Sequence, residues 1–184
     1  PRSGNTWVRL IISRILFPEF NISSLLDLDL LVPDIHKRTR YDHRSLSKEC
    51  VIKSHFSKPF NPLGNSFPVI YIVRNPVDVA VSYFNYRLKN NNLTGRNDFG
   101  AFVKRFVNGS IFPCSWQEHV MSWIGSKHEG RVLVVKYEDM VKNTTDKIAD
   151  IAHFLGEEVS LSRAKAIDKY ASRENMVLLE REGS

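Results

Sequence analysis

Apolar and polar residues alternate along the chain in blocks that predict strands and helices in turn. The run 68–73 is rich in valine and isoleucine, which is typical of a strand in a parallel sheet that is covered on both faces. A similar run at 131–136 predicts a second such strand. The short run 50–53 predicts a third buried strand, which ends at Ser54 and His55.

The helices are marked by apolar spacing and by the polar residues at which they begin. Asn75 followed by Pro76 is typical of an N-cap with proline at the first helical position, and predicts a helix that continues to about Lys89. Ser115 and Glu118 have the spacing of a capping box. Apolar spacing predicts further helices at 8–17, 98–107, 143–155 and 160–170, the last helix of the chain, while 25–31 fits either a short helix or a strand.

The alternation of strands and helices predicts the α/β class, as a layered domain with a central, mainly parallel sheet and helices on both faces. A chain of 184 residues is long enough to bury a sizeable core, and it contains no internal repeat or low-complexity linker. We therefore expect a single domain over 1–184. Phosphate loops normally follow a buried strand. Because no strand precedes the loop described next, we expect the domain to be truncated at its N-terminus.

The segment Pro-Arg-Ser-Gly-Asn-Thr-Trp (1–7) predicts a P-loop-like anion-binding loop. It places a cation, two hydroxyls, an amide and a glycine in a short turn that opens an apolar helix. Such a loop aims backbone N–H groups at one point, with the positive end of the helix dipole behind them, which favours a phosphate. It is neither a Walker A loop nor a dinucleotide-binding glycine turn. The same residues also fit an ordinary loop with Thr6 as N-cap.

Three other polar clusters stand at or just beyond the ends of predicted strands. They are Lys53-Ser54-His55, Arg74 with Ser82, and Tyr137-Glu138-Asp139. Each fits a purely structural explanation: a surface histidine, a solvated arginine, or a helix start with favourable negative charge. Ligands of parallel sheets bind at the carboxyl ends of the strands, so the coincidence of these clusters with the loop at 1–7 predicts one ligand site.

The net charge of +6 and the pI of about 9.4 fit a polyanionic ligand. The chain has no basic tract with interleaved aromatic residues, so we expect no nucleic-acid partner. No apolar run approaches the roughly 20 residues of a membrane span. The two cysteines, Cys50 and Cys114, fit a reducing, cytoplasmic compartment, although they also leave room for one disulfide. N-glycosylation sequons begin at Asn21, Asn92, Asn108 and Asn143, but such triplets arise easily by chance.

Together these segments resemble the sulfotransferase family. Residues 1–7 are similar to its 5′-phosphosulfate loop, usually Pro-Lys-Ser-Gly-Thr-Thr-Trp, and residues 74–83 to its 3′-phosphate motif, with the same separation of arginine and serine. Val-Ile-Lys-Ser-His (51–55) resembles the segment that presents the catalytic histidine. The stretches 116–120 and 135–140 match further family segments in the same order, so the resemblance spans essentially the whole chain.

The resemblance implies transfer of a sulfuryl group from 3′-phosphoadenosine 5′-phosphosulfate to a hydroxyl or amine of a small-molecule or carbohydrate acceptor, with no metal. It implies that His55 takes the acceptor proton, a task for a side chain that titrates near neutral pH. Arg2 and Lys53 would then stabilise charge on the leaving phosphate. The residues implied to bind the donor are Arg2, Ser3, Gly4, Asn5, Thr6, Trp7, Arg74, Ser82 and Tyr137. Among them, Arg74 and Ser82 would hold the 3′-phosphate, and Trp7 and Tyr137 would lie near the adenine.

Two departures from the family pattern bear on activity. Arg2 stands where cytosolic members usually carry lysine, and since arginine cannot pass on a proton, we expect it to act only electrostatically. The family's Arg-Lys-Gly segment is expected beyond Met176, but the chain ends at Ser184 without it, so we also expect a truncated C-terminus. A nucleotide or nucleoside kinase and a catalytically inactive nucleotide-binding module remain alternatives. Phe17, Phe20 and the segments 25–32 and 83–86 fit either core or an acceptor pocket. The motifs leave the acceptor and the oligomeric state open.

Overall fold

The structure, a computed structural model, describes residues 2–36, 51–62, 67–90, 98–125 and 131–182. Its strands are β1 (Val69–Val73) and β2 (Val132–Lys136), and a short 3-10 helix covers Lys58–Phe60. Its α-helices are α1 (Asn5–Leu16), α2 (Leu25–Leu31), α3 (Pro76–Lys89), α4 (Phe99–Val107), α5 (Trp116–Ile124), α6 (Tyr137–Lys142), α7 (Thr144–Phe154), α8 (Leu161–Tyr170) and α9 (Arg173–Glu182). Within the described ranges, no helix has the length and apolar character needed to cross a membrane.

The described residues form two compact units. The first unit lies within Pro1–Ser3 and His55–Glu138, and the second unit within Gly4–Ser54 and Asp139–Ser184. The sheet and helices α3, α4 and α5 belong to the first unit, whereas α1, α2, α7, α8 and α9 belong to the second.

The first unit contains a parallel pair of strands. β1 and β2 pair in register from Val69 with Val132 to Val73 with Lys136. Both strands consist mainly of β-branched residues, whose stiff side chains suit a pleated surface. Because the strands are parallel, their carboxyl ends meet at one edge, and α3 and α6 begin just after β1 and β2. The predicted α/β class with parallel strands is confirmed.

Helix α3 begins as its sequence predicts and packs on an aromatic core. The Asn75 side chain accepts a hydrogen bond from the N–H of Val77 at 2.9 Å, and Pro76 occupies the first helical position. Tyr83 and Phe84, both partly buried, pack against the buried cluster, which supports the core alternative for these two residues. That cluster consists of Val79, Ala80, Phe102, Phe106 and Ile111.

The second unit is built from helices around a buried ion pair. Arg9 on α1 is 7% exposed and donates to the carboxylate of Asp29 at 2.6 Å and to the carbonyls of Leu28 and Val32. A protein interior tolerates a charge that is paired and hydrogen-bonded in this way. The apolar side chains fully buried in this unit include Leu10, Ile11, Ile15, Leu28, Met140, Ile148 and Ile151.

Two predictions from the sequence are wrong. The run 50–53 is not a strand, because in its described part only Lys53 pairs, through a single parallel bridge with Asp34. Helix 160–170 is not the last one, because α9 follows it. Five of the ten residues of α9 are charged, and its four apolar residues, 176–179, are consecutive. Among its described side chains only Leu179 is buried, so no apolar face at helical spacing marks this helix in the sequence.

The other elements agree with the sequence. The capping box of Ser115 and Glu118 opens α5, and α7 ends before Gly156, whose φ is 82°. The segment 25–31 is a helix because Ser24 and Asp27 form a capping box at its start. The positions Pro1, Cys50 and Asn92 lie outside the described residues.

We predict that Asp29→Ala lowers the free energy of unfolding by about 3–5 kcal/mol, because it leaves the buried guanidinium of Arg9 without its counter-charge. Chemical denaturation followed by fluorescence measures this difference. The matched control is Asp150→Ala, which breaks the exposed pair of Lys147 and Asp150, also 2.6 Å apart. Exposed ion pairs contribute little to the free energy of unfolding. An equal loss of this free energy in the two variants would therefore contradict the prediction.

Candidate anion-binding site

Two of the residues that precede α1, Arg2 and Gly4, have positive φ angles. Gly4, the N-cap, has a φ of 98° and a ψ of 18°, which glycine adopts at little cost. Arg2 has a φ of 64°, which is uncommon for residues other than glycine. Glycine has no side chain to accept hydrogen bonds from the first-turn N–H groups, so it leaves the positive end of the helix dipole uncapped. A loop that opens a helix is confirmed, but the helix begins at Asn5, and Thr6 is not its cap.

Arg2 contacts helix α3 within the first unit. Its Nε donates to the Ser82 hydroxyl at 3.2 Å, and its guanidinium carbon lies 5.0 Å from the centroid of the Tyr86 ring. The family resemblance assigns Arg2 to the leaving phosphate of the donor and Ser82 to the 3′-phosphate. In the structure these two side chains are in direct contact.

Arg74 follows β1 and is held on several sides. Its guanidinium carbon lies 4.3 Å from the centroid of the Tyr137 ring, and its Nη1 donates to the Arg2 carbonyl at 3.5 Å. Its Nη2 lies 3.6 Å from the Asp78 carboxylate. The Arg74 carbonyl accepts a hydrogen bond from Nε1 of Trp116 at 3.2 Å, which fixes the backbone at this point.

We name Arg2, Arg74, Ser82, Tyr86 and Tyr137 the arginine cluster. Stacking on an aromatic ring occupies the flat face of a guanidinium, while its N–H groups lie in the guanidinium plane, where they suit the oxygens of a phosphate. The guanidinium groups of Arg2 and Arg74, the latter 3.6 Å from the Asp78 carboxylate, and the Ser82 hydroxyl are hydrogen-bond donors of the kind that bind phosphate groups. The arginine cluster is therefore the candidate anion site of the first unit.

Glu138, the residue after Tyr137, supports the start of α3. Its Oε1 accepts a hydrogen bond from the N–H of Asn75 at 2.9 Å. That hydrogen bond, with a smaller contribution from the charge of Arg74, holds the pKa of Glu138 below its usual value. The carboxylate therefore stays ionised and joins the two chain segments that leave the sheet.

His55, the candidate proton acceptor, lies half-buried in the first unit. The carbonyl of His55 is 3.2 Å from Nε2 of His119. Nδ1 of the His119 ring is 2.9 Å from the hydroxyl of Tyr71. Burial lowers the pKa of His119, although the hydrogen bond to the His55 carbonyl opposes this effect. Burial also raises the pKa of Tyr71. Both groups are therefore neutral at physiological pH.

Lys53 belongs to the second unit, where Asp34 holds its ammonium group. Lys53 Nζ lies 2.6 Å from Asp34 Oδ2, and the two side chains are only 16% and 7% exposed. The other carboxylate oxygen accepts a hydrogen bond from the N–H of His36 at 3.0 Å. Burial alone would raise the pKa of Asp34, but the hydrogen bonds from Lys53 and His36 outweigh it, so the pKa lies below its usual value. Lys53 is thus a cation that already has a counter-charge.

The structure divides the predicted site residues between the two units. The first unit contains Arg2, Ser3, His55, Arg74, Ser82 and Tyr137, and the second contains Gly4, Asn5, Thr6, Trp7 and Lys53. Sequence reasoning did not assign roles to several residues that contact them, among them Asp34, Asp78, Tyr86, Trp116 and His119, nor to Tyr71, which contacts His119. Asp78, Trp116 and His119 carried a signal, because they lie in the stretches 74–83 and 116–120 that resemble family segments.

Comparison with known proteins relates the whole chain to one family. The family model described as the sulfotransferase domain matches residues 1–180. The amine sulfotransferase of Oryctolagus cuniculus is 29% identical over 181 residues, which cover 96% of this chain and 60% of that protein. Sulfotransferase 4A1 of Mus musculus is 35% identical over 126 residues, which cover 66% of this chain and 43% of that protein. The chain thus spans about three fifths of the length of the curated relatives that match it along most of its length.

Solved structures share the fold. The mouse sulfotransferase SULT7A1 complexed with PAP has a TM-score of 0.76 and 30% identity, over 96% of this chain and 62% of that one. Retinol dehydratase in complex with androsterone and inactive cofactor PAP has a TM-score of 0.80 and 20% identity, over 95% of this chain and 62% of that one. At the lower identity, the second likeness supports the fold alone.

The lowered pKa of His119 predicts that the folded chain loses stability as the pH falls below about 6.5, the ordinary value for histidine. Below that pH the unfolded chain binds more protons than the folded chain, so the free energy of unfolding decreases, whereas above it the full contribution is present. Melting temperatures between about pH 8 and pH 5 should therefore fall less in His119→Gln than in the wild type.

The matched control for this prediction is His153→Gln, since His153 is exposed on α7. The control should keep the pH dependence of the wild type. An unchanged pH dependence in His119→Gln would show that His119 does not titrate differently in the folded and unfolded chains.

Proposed function

We propose a function on the premise that this chain belongs to the sulfotransferase family, whose domain model matches residues 1–180. The chain transfers a sulfuryl group from 3′-phosphoadenosine 5′-phosphosulfate to a hydroxyl or amine of a small-molecule acceptor. The observation that carries this proposal is the arginine cluster, in which Arg2, Arg74 and Ser82 meet although they lie far apart in the sequence. The PAP-bound relative of 30% identity supports the same nucleotide class.

In this proposal Arg74 and Ser82 hold the 3′-phosphate. The Arg74 Nε is buried and has no hydrogen-bond partner among the described residues. A buried donor without a partner is costly, and an anionic oxygen would satisfy it. The stacking of Arg74 on Tyr137 fixes the guanidinium, so that little conformational entropy is lost on binding.

The residues that open α1 hold the 5′ end of the donor in this proposal. The N–H groups of residues 3–6, with the uncapped helix behind them, suit a phosphate, and Trp7 offers an aromatic face for the adenine. In this proposal Arg2 binds the leaving phosphate. Its Nε, which donates to the Ser82 hydroxyl in the structure, then donates to that phosphate instead. Arg2 acts there through charge alone, because arginine stays protonated.

The donor supplies an activated sulfuryl group, and the protein positions it and moves one proton. His55 accepts the proton of the acceptor hydroxyl or amine as that atom bonds to sulfur. The bond from sulfur to the phosphate oxygen breaks, and the negative charge that develops on this oxygen is stabilised by Arg2 and Lys53. Asp34 holds the Lys53 ammonium group in place through their ion pair.

A small-molecule acceptor is supported by a relative named as an amine sulfotransferase, which matches 96% of this chain. For the compartment we propose the reducing cytoplasm, on the basis of only two cysteines, of which Cys114 is free in the structure. Non-reducing electrophoresis of the chain isolated from cells tests this placement.

We predict that 3′,5′-adenosine bisphosphate stabilises the chain against heat and that 5′-AMP and ATP do so much less, because only the bisphosphate offers a 3′-phosphate to the arginine cluster. Arg74→Ala should weaken its binding roughly 10- to 100-fold, the effect of losing charged hydrogen bonds. Calorimetric titration measures the affinity. Arg105→Ala, which removes an exposed arginine of α4, is the matched control. Preferential stabilisation by ATP would contradict the proposal and favour a kinase.

We predict that His55→Ala lowers the rate of sulfuryl transfer by about 100- to 10,000-fold, the usual contribution of a general base. Affinity for the bisphosphate should stay within about twofold, because in this proposal His55 handles the acceptor and not the nucleotide. Transfer of labelled sulfate from the donor to phenol and to benzylamine measures the rate, and exposed His153→Ala is the control. A binding module without activity would bind the bisphosphate equally well and show no transfer with any of these chains.

A further inference from the structure

Helix α5 holds the backbone around His55 through its side chains. His119 Nε2 lies 3.2 Å from the carbonyl of His55, and Nε1 of Trp123 donates to the carbonyl of Phe56 at 3.1 Å. Four residues apart on one helix, the two rings point to the same side. Two consecutive carbonyls of the His55 segment are therefore bound to one rigid helix.

Two further contacts extend this arrangement. The Ser122 hydroxyl accepts a hydrogen bond from the N–H of Lys58 at 3.2 Å, so that three backbone groups of the segment are bound. At the other end of α5, Trp116 binds the carbonyl of Arg74. One helix thus fixes the backbone both at the candidate base and at the arginine of the candidate nucleotide site.

The tautomer of His119 follows from its partners. A carbonyl oxygen only accepts, so Nε2 of His119 carries the proton and donates to His55. Nδ1 then has a lone pair, and the Tyr71 hydroxyl donates to it at 2.9 Å. The Tyr71 and His119 rings also stack, with centroids 5.6 Å apart and planes inclined by 23°. Tyr71 is 8% exposed, so this orientation is set within the interior of the first unit.

We propose that His119 is a positioning residue for His55: oriented by Tyr71, it donates a hydrogen bond to the His55 carbonyl and thereby holds the candidate base in its reactive place. The inference rests on the proposed function, since it concerns the proton acceptor of that reaction. This positioning role differs from a packing role, because a phenylalanine at position 119 would fill a similar volume but provide no hydrogen-bond donor. Positioning errors of about 1 Å at a reacting group cost on the order of 100-fold in rate.

Three substitutions separate the two hydrogen bonds of His119. In His119→Gln, the amide nitrogen reaches the place of Nε2 and keeps a donor for the His55 carbonyl. In His119→Asn, the shorter amide reaches only the place of Nδ1, facing Tyr71. His119→Phe keeps the ring and loses both. Gln117→Ala, on the exposed side of α5, is the control with unchanged activity.

The first readout is sulfuryl transfer from the donor to phenol and to benzylamine, beside the affinity for 3′,5′-adenosine bisphosphate. We expect His119→Asn and His119→Phe to lower kcat by roughly 10- to 100-fold. His119→Gln should stay within about threefold of the wild type, and all variants should bind the bisphosphate within about twofold. Equal rates in all variants would overturn the inference. So would an equal loss in His119→Gln and His119→Phe, since that pattern indicates packing alone.

The second readout does not require activity. Hydrogen exchange of the peptide 51–62 should be faster in His119→Asn and His119→Phe than in the wild type, and unchanged in His119→Gln. If the wild type binds no bisphosphate and transfers no sulfuryl group, the proposed function fails, and exchange alone then decides whether His119 orders the His55 segment. Unchanged exchange in folded His119→Phe would overturn the ordering role whatever the activity.

Discussion

The parallel register of β1 and β2 is the constraint on which the arginine cluster depends. The two strands are in register up to their last pair, so the residues that follow, Arg74 and Tyr137, leave the sheet side by side and stack. The next residues continue the pattern, because the N–H of Asn75 binds the carboxylate of Glu138. A slip by one residue would turn every side chain of the shifted strand to the opposite face and separate the guanidinium from the ring. The sheet edge thus sets the geometry of the candidate nucleotide site.

Helix α5 connects the backbone at this sheet edge with the backbone at the candidate base, His55. Three ring side chains of α5 lie at helical spacing and donate hydrogen bonds to backbone carbonyls. Trp116 binds the carbonyl of Arg74, while His119 and Trp123 bind the consecutive carbonyls of His55 and Phe56. Ring side chains have few rotamers, so a hydrogen bond from such a ring fixes a carbonyl more closely than one from a long flexible chain. The backbone at His55 and at Arg74 is therefore ordered by one element, which is how a fold places a base and a phosphate ligand with little freedom.

Two buried ion pairs of the second unit have similar geometry and different surroundings. Arg9 is bound through its Nη2 by Asp29 and by two backbone carbonyls, and these hydrogen bonds join α1 to α2 and its C-cap. Lys53 is bound by Asp34 beside the segment that leads to His55, at a bridge of a single residue pair. Among the described residues, Arg9 is thus bound by a carboxylate and two carbonyls, whereas the Lys53 ammonium group, which has three donors, is bound by the Asp34 carboxylate.

Features that depend on interactions over a few residues could be predicted from the sequence. The β-branched runs of β1 and β2, the Asn75 cap and the Ser115 capping box are local, and so are the motifs around Arg74 and His55 that resemble one family. Tertiary structure alone decided which of these residues meet: Arg2 and Ser82 are 80 residues apart, and His55 and His119 are 64 apart. It also reduced the expected strand at 50–53 to a single bridge and added α9. Caps and β-propensity are interactions between near neighbours, which local patterns record, whereas distant partners are selected by the packing of whole elements, for which no short pattern exists.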